Sequence, residues 1–160
     1  DLLYGNLGMD TLFGGQDADT VFGGQDADVI YGNMANDALY GNMANDTLFG
    51  GQGDDSVFGG QGDDVVAGNL GDDVLNGNLG NDTLVGGAGA DRFVFATGGG
   101  ADTVSDFDFA QGDRIQVAAG MTWTIADGPN GAVISFGTGD QITLTGINAA
   151  NVANGWIVTG

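Results

Sequence analysis

The chain has 160 residues, 22 acidic and two basic side chains, and a formal charge of −20. All the acidic residues are Asp, and Lys, His, Glu and Cys are absent. This composition excludes nucleic acid and anionic membrane surfaces as partners, because both repel carboxylates, and it excludes disulfides.

No apolar run approaches membrane-spanning length, so no membrane insertion is expected, and no N-terminal signal peptide is visible. The 33 glycines and the high charge would fit disorder, but 42% hydrophobic content and strict periodicity oppose it. The chain opens at the Asp of a unit whose glycines are missing, which reads as a piece of a longer array.

Residues 1–91 read as a repeat array. Asp recurs at every ninth position: Asp1, Asp10, Asp19, Asp28, Asp37, Asp46, Asp55, Asp64, Asp73, Asp82 and Asp91. Two residues after each stands an apolar side chain: Leu3, Leu12, Val21, Ile30, Leu39, Leu48, Val57, Val66, Leu75, Leu84 and Phe93. Five residues before each, from Asp10 on, stands a glycine: Gly5, Gly14, Gly23, Gly32, Gly41, Gly50, Gly59, Gly68, Gly77 and Gly86. A fixed period of this kind marks a solenoid. The triplet centred on the apolar residue is expected to form a short strand pointing that residue inward, and the six residues from Gly to Asp are expected to turn the chain. The residue after each first glycine is always Gly or Asn, the types that best tolerate positive φ.

Each Asp could cap its own turn through local hydrogen bonds. Eleven in phase, stacked without a compensating cation, favour a bound ion instead. Carboxylate and carbonyl oxygens suit calcium, and the absence of nitrogen and sulfur ligands opposes zinc, copper or iron. Magnesium prefers a tighter octahedron and keeps its waters.

The unit resembles the G-G-x-G-x-D-x-U-x repeat of the calcium-binding RTX (repeats-in-toxin) family over residues 1–91. The resemblance implies an all-β, right-handed parallel β-roll with 18 residues per turn and Ca2+ between the loops of adjacent turns. One loop column would hold residues 5–10, 23–28, 41–46, 59–64 and 77–82. The other would hold 14–19, 32–37, 50–55, 68–73 and 86–91. Four gaps per column house about eight ions, liganded by Asp10 through Asp91 of the series and by the loop glycines. Eight Ca2+ would bring the formal charge from −20 to about −4. The apo chain is expected to be unfolded and to fold on binding, with sites of roughly 10⁻⁴–10⁻³ M, as in extracellular modules. By the same resemblance the partners include type I secretion machinery, and the location is secreted or extracellular, with the cell surface as one option.

The family's second glycine, also expected in the metal loops, is present as Gly8, Gly53, Gly62, Gly71, Gly80 and Gly89. Asp17, Asp26, Ala35 and Ala44 replace it elsewhere. Ala adopts left-handed backbone poorly, so loops 14–19 through 41–46 are expected to depart from the family geometry. Asp17 and Asp26 read either as added ligands or as solvated charge, and Asp54, Asp63 and Asp72 as loop-surface charge. Outward-facing Tyr4, Phe22, Tyr40 and Phe58, with Phe13, Tyr31 and Phe49, form two aromatic ladders. These read as sheet packing or as a surface for self-association or for a cell-surface polysaccharide.

Residues 92–160 lose the period and resemble the capping segment of type I secreted proteins, including the C-terminal domain of serralysin-type proteases. Asp102, Asp106, Asp108 and Asp113 are candidate extra ligands. Strands are expected at 122–126, 132–136 and 141–145, with turns at 127–131 and 137–140. The resemblance places an uncleaved secretion signal towards Trp156–Gly160.

With no His, Cys, Lys or Glu, nucleophilic triads and zinc-protease motifs cannot form in this chain. It therefore reads as a non-enzymatic, calcium-folded module of an exported surface or matrix protein. The alternative is the tail of an exported protease, lipase or epimerase whose catalytic domain lies upstream. Ice binding needs a flat Thr array, and Thr11, Thr20, Thr47 and Thr83 are scattered.

Overall fold

A computed structural model of the chain describes residues 1–153 and 155–160, so position 154 of the terminal segment lies outside the described residues. In chain order the strands are β1 (Leu2–Leu7), β2 (Thr11–Gly15), β3 (Thr20–Gln25), β4 (Val29–Met34), β5 (Ala38–Met43), β6 (Thr47–Gln52), β7 (Ser56–Gln61), β8 (Val65–Leu70) and β9 (Val74–Leu79). Then come β10 (Thr83–Ala88), β11 (Arg92–Phe95), β12 (Ala101–Val104), β13 (Arg114–Val117), β14 (Trp123–Asp127), β15 (Gly131–Phe136), β16 (Gln141–Thr145) and β17 (Ile157–Thr159). A short 3-10 turn spans Ala149–Asn151.

Odd and even strands separate into two sheets. One runs β1-β3-β5-β7-β9-β11-β13-β17, and the other β14-β15-β16-β12-β10-β8-β6-β4-β2. Neighbours in the array pair in parallel at a shift of 18 residues, as in Val21↔Leu39 and Ile30↔Leu48. The molecule is a parallel β-solenoid of about six turns.

Alternation explains the core. Val21, Ile30, Leu39, Leu48, Val57, Val66, Leu75, Leu84 and Phe93 are fully buried between the sheets. The aromatic residues beside them point outward and stack on their equivalents one turn away, with ring centroids 4.8–5.1 Å apart. The strands run longer than the expected triplet, because the ladder continues through the Gly-Gly or Gly-Asn pair, as in Asn6↔Gly24 and Leu7↔Gln25. All ten residues after the first glycine have positive φ, from 71° at Asn78 to 130° at Gly15, which is why only Gly and Asn occur there.

The period ends at Asp91, but the sheets do not. β11 and β13 extend one, and β12 the other. The strands expected near 122–126, 132–136 and 141–145 form β14, β15 and β16, an antiparallel meander joined to β12 through β16. β17 returns to pair with β13.

Candidate metal centre

The turns place each repeat Asp under its own loop, where it is almost wholly enclosed: Asp28 to Asp91 of the series are at most 3% exposed. Oδ1 accepts the backbone N–H of the repeat Asp one turn earlier. Asp10 donates to Asp28, Asp28 to Asp46, Asp46 to Asp64 and Asp64 to Asp82, at 2.7–2.8 Å. In the other column Asp19 donates to Asp37, Asp37 to Asp55, Asp55 to Asp73 and Asp73 to Asp91, at 2.8–3.0 Å.

The second oxygen has nothing. Oδ2 of Asp10, Asp19, Asp28, Asp37, Asp46, Asp55, Asp64, Asp73, Asp82 and Asp91 is buried without a hydrogen-bond donor. A buried carboxylate oxygen left unpaired is costly, and ten in register call for a compensating charge.

The glycines show where that charge would sit. A methyl on Gly14 would lie 2.7 Å from the Gly32 carbonyl oxygen of the next turn and 2.8 Å from Asp19 Oδ2. One on Gly23 would lie 2.9 Å from Gly41 O and 2.5 Å from Asp28 Oδ2. The same convergence of own-unit Asp Oδ2 and next-turn Gly carbonyl occurs at Gly5, Gly32, Gly41, Gly50, Gly59 and Gly68. These eight first glycines face a pair of oxygens across a space that any side chain would fill. At Gly77 and Gly86 the own-unit Asp Oδ2 is again the nearest atom.

The donor set is oxygen only, part carboxylate and part carbonyl, and fits calcium. Among the described residues no three His, Cys, Asp or Glu side chains gather in one place. Backbone oxygens must therefore complete any coordination shell.

Burial pushes the carboxyl groups up, opposed by the backbone hydrogen bond and reinforced by the neighbouring carboxylates. Asp46, Asp55 and Asp73 rise to about 6, and Asp64 and Asp91 to about 7. Asp28, Asp37 and Asp82 are also raised, chiefly by burial. A cation between the loops would hold these groups ionised.

The second-glycine positions behave differently from expectation at two sites. Ala35 and Ala44 do enter the left-handed region, at φ 73° and 75°, as does Asp26 at 71°. Asp17 alone of that series is not at positive φ. Asp26 Oδ2 accepts the Gly8 N–H, which gives it a structural task on the loop surface.

A second ladder escaped the sequence reading. From Asn36 to Asn81, the residue before the repeat Asp uses its side-chain oxygen to accept an N–H one turn later. Asn36 receives Asp54, Asp54 receives Asp72 and Asp72 receives Ala90; in parallel, Asn45 receives Asp63 and Asp63 receives Asn81. The recurrence of Asn or Asp at those positions was the available signal.

In the terminal segment Asp102 and Asp113 continue the two inner ladders, accepting from Asp82 and Asp91 N–H at 3.0 Å. Asp106 instead clasps the Gly86 and Gly87 N–H groups, and Asp108 accepts the Ala110 N–H at the surface.

Stacked loops of buried carboxylates and facing glycine carbonyls define a calcium-binding parallel β-solenoid. The RTX calcium-binding nonapeptide repeat family matches in four copies, at residues 4–39, 40–75, 58–93 and 67–104. The chain belongs to this family, whose repeats bind calcium. Among solved structures, the chain is similar to the AlgE6R3 subunit of the mannuronan C5-epimerase from Azotobacter vinelandii, with 28% identity over 78% of each chain and a TM-score of 0.49. It is also similar to the extracellular lipase LipA from Serratia marcescens, with 17% identity and a TM-score of 0.49 over 97% of this chain and 40% of the lipase. No curated protein sequence matches the chain. No helix of the described residues is long and apolar enough to cross a membrane.

Proposed function

We propose that this chain is a non-catalytic, calcium-folded module of an exported protein, with about eight Ca2+ held between stacked loops by the repeat Asp side chains and backbone oxygens of the glycine turns. The ten buried, unpartnered Oδ2 atoms carry this reading, since they leave a charge deficit that the chain cannot supply. Low calcium would leave the array unfolded and fit for export through a type I channel, and millimolar calcium outside the cell would fold it.

Residues 92–160 serve as the cap of the 1–91 array and carry the export signal. β16 and β17 occupy the sheet edges beyond β12 and β13, which would otherwise stand open to pairing with other chains. The aromatic ladders belong to sheet packing, since their ring faces are spent on one another. A surface for self-association or for polysaccharide is left with ring edges and the neighbouring Met34, Met43, Leu70 and Leu79 side chains.

The deciding experiment is far-UV circular dichroism of the chain, titrated with calcium from a chelated start, with magnesium as control. A cooperative coil-to-sheet transition at submillimolar to millimolar calcium, absent with magnesium, is expected. A sheet spectrum that persists in excess chelator would leave the Asp columns as turn-formers and overturn the proposal.

A further inference from the structure

Beyond the gaps of the periodic array, each loop column gains one more loop from the aperiodic segment. Residues 96–102 stack on loop 77–82. Gly80 N–H donates to Gly99 O, Thr103 N–H to Asp82 O, and Asp82 N–H to Asp102 Oδ1, at 2.8–3.0 Å. Residues 105–113 stack on loop 86–91 in the other column, where Arg114 N–H reaches Asp91 O and Asp91 N–H reaches Asp113 Oδ1.

The two added gaps are chemically unlike. Beside Asp113 the added loop spends its own carboxylates on protein donors: Asp113 Oδ2 accepts the Asp108 N–H at 2.7 Å, and both oxygens of Asp106 accept amides of Gly86 and Gly87, leaving only Asp91 Oδ2 unpartnered. Beside Asp102 the oxygens are idle. Asp102 is 5% exposed and accepts a single backbone bond, through Oδ1. Asp82, 1% exposed, has an unpartnered Oδ2. In the earlier units the equivalent atom faces the following loop. Around Gly99, a methyl would meet Asn78 O at 3.3 Å, Asp102 Oδ2 at 3.4 Å and Ala96 O at 3.5 Å. Three oxygens from both loops thus face one space beside the enclosed Gly99.

We propose that this gap is a further calcium site, formed by Asp82, Asp102 and the carbonyls of Asn78 and Ala96, whereas at its counterpart Asp113 and Asp106 are held by protein hydrogen bonds and ligate no ion. The site lies outside the nine-residue period, with 20 residues rather than 18 between its two Asp. It rests on the calcium reading above. It makes Asp102 a metal ligand and leaves Asp113 a purely structural acceptor.

Native mass spectrometry of the full chain at saturating calcium tests it by counting ions. Gly99→Ala is the sharpest variant: its methyl fills the space at 3.3 Å from the Asn78 carbonyl, a contact relieved by a shift of a few tenths of an ångström. It should bind one ion fewer than the parent chain. Asp102→Asn should also lose one ion, and Asp113→Asn none, although its thermal midpoint falls. Equal counts for the parent, Gly99→Ala and Asp102→Asn would overturn this site and leave the repeat sites standing. A parent chain that binds no calcium would overturn both. Loss of an ion in Asp113→Asn would overturn the asymmetry.

Discussion

The array and the terminal segment share two sheets and one continuous core, yet they satisfy their turns by opposite means. In residues 1–91 each turn buries a carboxylate with one oxygen unpaired. From residue 105 onward, the turn carboxylates of Asp106, Asp113 and Asp140 spend both oxygens on protein donors. Packing follows the same division. The array interior is a single file of aliphatic side chains, whereas Phe93, Phe107 and Trp156 cluster in the terminal segment, with Phe109 stacked on Trp156 and Arg114 4.3 Å over Phe109. A turn that leaves its charge unsatisfied hands folding to an external ion. A turn that satisfies its own charge is indifferent to that ion.

Calcium removal should separate the two regions most strongly. At a tenfold excess over Kd each bound ion contributes about 1.4 kcal/mol, so eight contribute on the order of 11. That is comparable with the whole stability of an ordinary domain. In hydrogen exchange with chelator, residues 1–91 are expected to lose protection almost completely while β15 and β16 retain it. Equal loss in both would show that the terminal segment borrows its stability from the array and would break the contrast.

One substitution placed in both regions gives the next largest effect. Gly23→Ala puts a methyl 2.5 Å from Asp28 Oδ2 and 2.9 Å from Gly41 O, closer than atoms can approach. It should cost about 3 kcal/mol, which shared over eight coupled ions raises the calcium midpoint roughly twofold. Gly137→Ala meets only the Thr122 hydroxyl, at 3.9 Å, and should leave the midpoint unchanged. Titrations of the two variants that overlap would show that the eight cradles are not where calcium acts.

Acid should move the regions in opposite directions. Burial raises Asp64 and Asp91 to about 7 and Asp46, Asp55 and Asp73 to about 6. A raised folded-state value means that, without metal, their contribution is fully present below the unfolded value near 4 and is lost as pH rises through 6 to 7. In chelator the array should therefore gain sheet signal on acidification from pH 7.5 to about 4. Asp140 is held low by the Thr138 hydroxyl and the Gly98 and Gly100 amides. Its small contribution is present above its unfolded value and disappears as pH falls through the folded one. Circular dichroism against pH in chelator, beside the same scan of Asp140→Asn, checks both signs. A metal-free array no more structured at pH 4 than at pH 7.5 would refute the first.

The nine-residue period made the columns, the core and the positive-φ positions legible, because a register of 18 residues follows once two units make a turn. Strands β14, β15 and β16 were legible from alternation and turn residues. Other features were not. Asp102 and Asp113 enter the ladders at spacings of 20 and 22, which depend on how loops 96–101 and 105–113 fold back, and no local pattern encodes that. The pairing of β17 with β13 joins residues about 40 apart and is decided by the open edge that β13 presents. The division between the Asp102 and Asp113 turns depends on which amides come within reach, and the sequence shows only four similar acids.

The smallest expected effect lies inside the array, where the loops are not all alike. Gly53, Gly62, Gly71 and Gly80 each donate their N–H to a carbonyl of the next turn, at 2.9–3.0 Å. Among the described residues, Ala35 and Ala44 make no such bond, although they hold left-handed backbone. Left-handed φ costs a Cβ-bearing residue about 1–2 kcal/mol, and glycine returns part of that gain through the larger entropy of its unfolded chain. Ala35→Gly and Ala44→Gly should thus each stabilise the calcium-bound array by about 0.5–1 kcal/mol and lower the calcium midpoint by roughly 10–20%, since eight ions share the gain. If both variants titrate like the parent, the alanine loops are already as well formed as the glycine ones, and the array is uniform along its length.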